Sequence, residues 1–153
     1  SESAKLRNYL LEVDTDVSLE QAEGSSFRIV MIHFDSEGCG AGFLPKFEKM
    51  AKEALKPYRI SITMTLLDPF YLLLGSEKEK RWKEMKPVLV DALKSCTQDG
   101  SISGCFLSYG RRGGCQKDIL LSYRQAKEAG KALSWLGWGK SVCYDDVPQE
   151  TAG

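Results

Sequence analysis

The sequence predicts an α+β domain, an antiparallel sheet with helices on one face, in the order (α)-β-α-β-β-α-β-α-β. Three observations carry this. Ile60, Ile62, Met64 and Leu66 alternate with Ser61, Thr63 and Thr65, the period-two pattern of a half-buried strand. A second β-rich run, Phe70 to Leu74, follows directly after Leu67-Asp68-Pro69, so the two runs form a hairpin. Phe47, Met50, Ala51, Ala54 and Leu55 stand at i, i+3, i+4, i+7 and i+8, the stripe of a helix that buries one side.

The remaining elements fall around these. Leu6, Tyr9, Leu10 and Val13 predict an opening helix over about residues 3–13. The polar stretch Asp14 to Ser26 is a linker, and Arg28 to Phe34 is the first strand. Gly38 to Gly42 is a loop, and Pro57 ends the helix that follows it. After the hairpin, Gly75-Ser76 opens a charged helix whose Trp82, Met85, Leu89, Ala92, Leu93 and Cys96 share a face. Pro87 predicts a kink or a late start in that helix. Asp99-Gly100 is a turn, Ile102 to Tyr109 a strand, and Gly110 to Gly114 a loop. Ile119, Tyr123, Ala126, Gly130 and Leu133 mark a further helix, and Ser141 to Tyr144 is a short closing strand. The first six elements of the sheet, β-α-β-β-α-β, make a ferredoxin-like split unit.

The chain has 153 residues, enough for one domain with its own core. Lys and Arg balance Asp and Glu, giving zero net charge. That argues against a direct grip on nucleic acid, which needs surplus cations to neutralise phosphates. No apolar run is long enough for a membrane span and no signal-peptide pattern opens the chain, so no membrane partner is predicted. Five scattered cysteines, Cys39, Cys96, Cys105, Cys115 and Cys143, fit reduced thiols in a cytoplasmic protein. Ser1 at the start and Pro148-Gln149-Glu150-Thr151-Ala152-Gly153 at the end read as the cut ends of a domain from a longer protein. The predicted division is an opening helix and linker over 1–26, a regulatory domain over 27–147 and a linker over 148–153.

Candidate chemistry is sparse. Gly38, Gly40 and Gly42 lie between a strand and a helix, but the third glycine is one place early for a dinucleotide loop and the next strand turns into a hairpin. His33 is the one histidine, so no histidine metal cluster is available and it reads as a strand residue with a satisfied ring. Cys96, Cys105 and Cys143 read as small core residues. Asp35 ends the first strand and Asp68 sits at the hairpin tip, where paired carboxylates can hold Mg²⁺. Lys78, Lys80, Arg81, Lys83 and Lys86 interleave with Glu77, Glu79 and Glu84 as a solvated helix face. Arg111-Arg112 among glycines predicts a mobile cationic loop for an anion or an acidic partner.

Several stretches resemble one family. Ser122-Tyr123-Arg124-Gln125-Ala126-Lys127-Glu128-Ala129 is similar to its S-Y-R-E-A-x-x-A helix. The segment from Trp138-Gly139-Lys140 to Tyr144-Asp145-Asp146-Val147 is similar to its closing G-K-x-x-x-x-Y-D-D-I, and Leu6 to Leu11 resembles its opening helix. The family is the GGDEF-like domain of CdaR/PucR-type and AraC-type bacterial transcription regulators, with a nucleotide-cyclase-like sheet. Against the cyclase hairpin G-G-D/E-E-F, this chain reads Leu66-Leu67-Asp68-Pro69-Phe70. Asp68 and Phe70 keep the register, and Asp35 matches the first metal position. Leucines replace both glycines, blocking close approach of a nucleotide to the backbone. Pro69 replaces the acid and removes an N–H. The Asn-Asp pair of the following helix is absent from Phe43 to Leu55.

The resemblance therefore implies a non-catalytic relay or dimerisation domain, with Asp35, Asp68 and Phe70 as vestiges. It implies no catalytic residue, no cofactor and no metal. Its implied partners are a receiver domain and a helix-turn-helix pair of the same full-length chain, and a second copy in a homodimer. DNA is reached only through the missing C-terminal part. An alternative is a small-molecule sensor whose old nucleotide cleft is lined by Phe34, Phe70 and Tyr71 near the Arg111-Arg112 loop.

Overall fold

The structure, a computed structural model, describes residues 1–19, 25–35, 42–67, 69–78 and 81–148. Helix α1 (Glu2–Leu10) is followed by β1 (Ser26–Phe34), α2 (Phe43–Leu55), β2 (Ile60–Leu67), β3 (Phe70–Glu77) and α3 (Trp82–Cys96). Then come β4 (Cys105–Tyr109), α4 (Lys117–Gly130), the single turn α5 (Leu133–Leu136) and β5 (Ser141–Cys143), with 3-10 turns at Lys56–Tyr58 and Tyr144–Asp146. The strands form one sheet in the order β2-β3-β1-β4-β5. The first four are antiparallel neighbours, while β5 lies parallel to β4, with Leu107 beside Ser141.

The α+β fold is as predicted, with α2 and α3 of the split unit on one face of the sheet. Val30, Ile32, Ile62, Leu73 and Leu107 meet Phe47, Ala51, Leu55, Leu89 and Leu93 there. The other face is covered too. Ile29, Met31, Leu72 and Leu74 pack on Leu6 and Leu10 of α1 and on Ile119 and Ala126 of α4. Helices thus lie on both faces rather than one, and β5 makes the sheet mixed rather than purely antiparallel. The double cover explains why Thr63 and Thr65, predicted to face solvent, are buried: α1 lies over them, with Ser3 Oγ donating to the Met64 carbonyl at 2.6 Å.

Several boundaries moved for local reasons. α1 stops at Leu10, and Glu12 takes a left-handed φ of +57°, which leaves Val13 exposed instead of on the helix face. Gly75-Ser76 does not open a helix; both continue β3. A Cβ on residue 75 would meet Met85 Cε at 2.5 Å, so this glycine lets α3 press onto the sheet. α3 begins at Trp82 and runs through Pro87. That proline lies in the second turn, where its missing N–H leaves one helical bond unmade. β4 begins at Cys105, three residues later than predicted. Gly42, at φ +85°, is the N-cap of α2, while Gly38 and Gly40 lie outside the described residues.

Candidate functional site

The hairpin end of the sheet holds the cyclase-like positions. The register pairs His33 with Phe70, which sets the β2–β3 turn beside the end of β1. Asp35 follows β1 there, exposed, its N–H donating to the Gly104 carbonyl at 2.9 Å. Asp68 lies outside the described residues. Leu66 and Leu67 pair regularly with Tyr71 and Phe70, so side chains stand where the resembled family has bare backbone. Among the described residues, no group of three or more His, Cys, Asp or Glu is placed to hold a metal ion.

His33 is half-buried at this end. Its ring lies 5.7 Å from both Phe70 and Phe106, and its Nε2 is 3.5 Å from Ser108 Oγ. Burial lowers its pKa because a charged imidazolium loses hydration inside the protein. Cys105 is buried, Cys96 and Cys143 are partly buried, and Cys115 is exposed; Cys39 lies outside the described residues.

The aromatic cleft is not assembled as expected. Phe34 and Tyr71 pack together at 5.1 Å with Phe43 of α2 close by, whereas Phe70 sits across the sheet with His33. The arginine loop is at the opposite end. Gly113 exchanges backbone hydrogen bonds with Phe27, at 2.8 and 3.0 Å. At about 3.3 Å per strand residue, it stands roughly 20 Å from Phe34.

That loop is anchored, not free. The Arg111 guanidinium pairs with Asp145 and lies 5.0 Å from the Tyr144 ring centroid. Its backbone N–H donates to Gln125 Oε1 at 2.9 Å, and its carbonyl accepts from Ser122 Oγ at 2.8 Å. The two segments that carry the resemblance, the Ser122–Ala129 helix stretch and Tyr144-Asp145-Asp146, therefore meet at residue 111.

α4 is the hub of this end. Gln116, at its N-cap, clasps the leading segment: Nε2 donates to the Val17 carbonyl at 2.7 Å and Oε1 accepts from Leu19 N–H at 3.0 Å. The Gln116 carbonyl accepts from Tyr9 Oη at 3.1 Å. On its outer side α4 borders a half-open groove of about 620 Å³, whose far wall is the trailing segment at Tyr144, Val147 and Pro148. Sequence reasoning missed Gln116. Its one signal was its place just before a helix.

Also missed was a buried polar group beneath α3. The Glu77 carboxylate is buried, and Oε2 accepts the Arg81 N–H at the start of that helix. Glu77 Oε1, Arg28 Nε, Trp82 Nε1 and Tyr109 Oη have no hydrogen-bond partner among the described residues. Burial raises the Glu77 carboxyl, and Arg112 and Arg28 pull it back down. Desolvation likewise pushes up the Tyr109 phenol and lowers the Arg28 guanidinium, which lies 5.5 Å from the Trp82 ring centroid.

No protein-family model matches this chain, and no curated protein matches it. No described helix is long and apolar enough to cross a membrane.

Proposed function

We propose that this chain is a non-catalytic signal-relay or dimerisation domain of a cytoplasmic bacterial transcription regulator of the AraC response-regulator type. It couples an upstream receiver to downstream helix-turn-helix units that alone touch DNA. One observation carries the reading: a single helix, α4, is held to the leading segment through Gln116 and adjoins the trailing segment at Tyr144 and Val147. A shift of the incoming chain is then felt at the outgoing chain through one rigid element. Leu66 and Leu67 at the hairpin support a role without turnover, since side chains there keep a nucleotide off the backbone.

Deleting residues 27–147 from the full-length regulator should make promoter binding independent of receiver phosphorylation. Unchanged dependence overturns the relay. A thermal-shift panel with GTP and Mg²⁺, cyclic di-GMP and small metabolites should leave the melting temperature where it is. A rise of about 5–10 °C with one compound at a hundredfold excess over its dissociation constant would instead make the domain a ligand sensor.

A further inference from the structure

We propose that the outer face of α4 and α5 is the contact between two copies of this chain, paired antiparallel about a two-fold axis between Arg124 and Glu128. The proposal rests on the relay-or-dimerisation reading and names its surface. Two of the large hydrophobic side chains exposed among the described residues lie on this face, Leu121 on α4 and Trp135 on α5. Leu121 is 52% exposed and Trp135 60%, and both line the groove beside the trailing segment. Tryptophan in such a position is the usual anchor of a protein contact.

The charges point to a second copy as occupant. Lys117, Leu121, Arg124, Glu128 and Lys131 follow one another at helical spacing as one exposed stripe. Arg124 and Glu128 are one turn apart, about 6 Å along the axis. A two-fold axis midway sets each Arg124 opposite Glu128 of the other copy, so one residue pair yields two ion pairs, as an isologous interface requires. Their present partners are exposed: Glu12 at 3.7 Å from Arg124, and Lys131 at 2.8 Å from Glu128. Exposed pairs contribute little, so exchanging them costs little. Val147 and Pro148 line the same groove, so pairing here brings both outgoing chains to the interface, where their separation sets the spacing of two DNA-binding units.

Sedimentation equilibrium over roughly 1–200 µM should show a monomer–dimer equilibrium for the chain. Leu121→Glu and Trp135→Ala should each weaken it by about 10-fold or more, with the melting curve by circular dichroism unchanged. Arg124→Glu and Glu128→Arg should each weaken it about 5-fold, and the double variant should recover to within about 2-fold. A monomer throughout that range overturns the proposal, as does a dimer indifferent to these variants or a charge swap that fails to recover. A monomer that instead binds an acidic amphipathic helical peptide through Trp135 overturns it in favour of a foreign partner. A monomeric domain whose deletion still uncouples promoter binding from phosphorylation removes this interface and leaves the relay standing.

Discussion

Ser122 Oγ joins β1 to the chain just past β4 from a helix: it accepts the Ile29 N–H at 3.0 Å and donates to the Arg111 carbonyl at 2.8 Å. Past Gly110, whose N–H still donates to the Ile29 carbonyl, the β4 chain leaves β1, and side chains of α4 take over the freed backbone groups. Gly110 has no alternative here, because a Cβ would collide with the Ser122 backbone.

Ser122→Ala leaves the bond from the interior Ile29 N–H and the half-buried bond to the Arg111 carbonyl unmade, so it should cost about 1–3 kcal/mol by urea denaturation. Ser134→Ala serves as the control. Ser134 Oγ bonds only the exposed Lys131 carbonyl one turn back, and its loss should fall within about 0.5 kcal/mol. Equal effects at both positions would show that the α4 latch carries no special weight.

Gly130 and His33 make a second close approach. A Cβ on residue 130 would come within 2.8 Å of His33 Nε2 and 3.0 Å of Cε1. The ring cannot retreat readily, being bracketed by Phe70 and Phe106. Gly130→Ala should therefore destabilise by about 1–3 kcal/mol. Adding His33→Ala should relieve part of that penalty, so the double variant should be more stable than the sum of the singles predicts. Strict additivity would refute the contact.

The same histidine sets a pH dependence. Burial lowers its folded-state pKa below the ordinary 6.5, so the unfolded chain takes up a proton first. Its contribution is complete above pH 6.5 and declines as the pH falls toward the folded value. Unfolding free energy should drop over that range in the native chain and more gently in His33→Phe, read by denaturation at each pH.

Glu77 works in the opposite sense. Burial raises its carboxyl above the ordinary 4.5, so the folded state holds the proton longer. No penalty exists below pH 4.5; stability is lost as the pH climbs from there through the raised value. Glu77→Gln should remove this loss, giving a variant whose stability relative to the native chain grows with rising pH. A constant difference between the two curves would exclude Glu77 as the source.

Patterns within one element were legible; closures between distant elements were not. The alternation from Ile60 to Leu66 and the stripe from Phe47 to Leu55 place both elements where expected, and Ile60, Ile62, Met64, Phe47, Ala51 and Leu55 are buried, though Leu66 and Ala54 are exposed. Nothing in Leu6, Tyr9 and Leu10 says which sheet face α1 will cover, so burial of Thr63 and Thr65 was invisible. Gly75 read as punctuation because a glycine admitting a neighbouring helix looks, in sequence, like one that ends a strand. Arg111 read as free because its partner, Asp145, is 34 residues away. At the hairpin, the leucine-for-glycine replacement was readable, since it depends on residue type alone. The clasp by Gln116 was hidden for the same reason as Asp145: its partners at Val17 and Leu19 are 99 and 97 residues distant.

That clasp also orders events on the ribosome. Tyr9, Val17 and Leu19 leave the exit tunnel long before Gln116, and at about 5–20 residues per second the gap is of the order of 5–20 s. Through that interval Leu6 and Leu10 lack the α4 side of their pocket, so the nascent chain carries an apolar helix face with no permanent cover. α1, translated before every other described helix, is among the last to be locked in place.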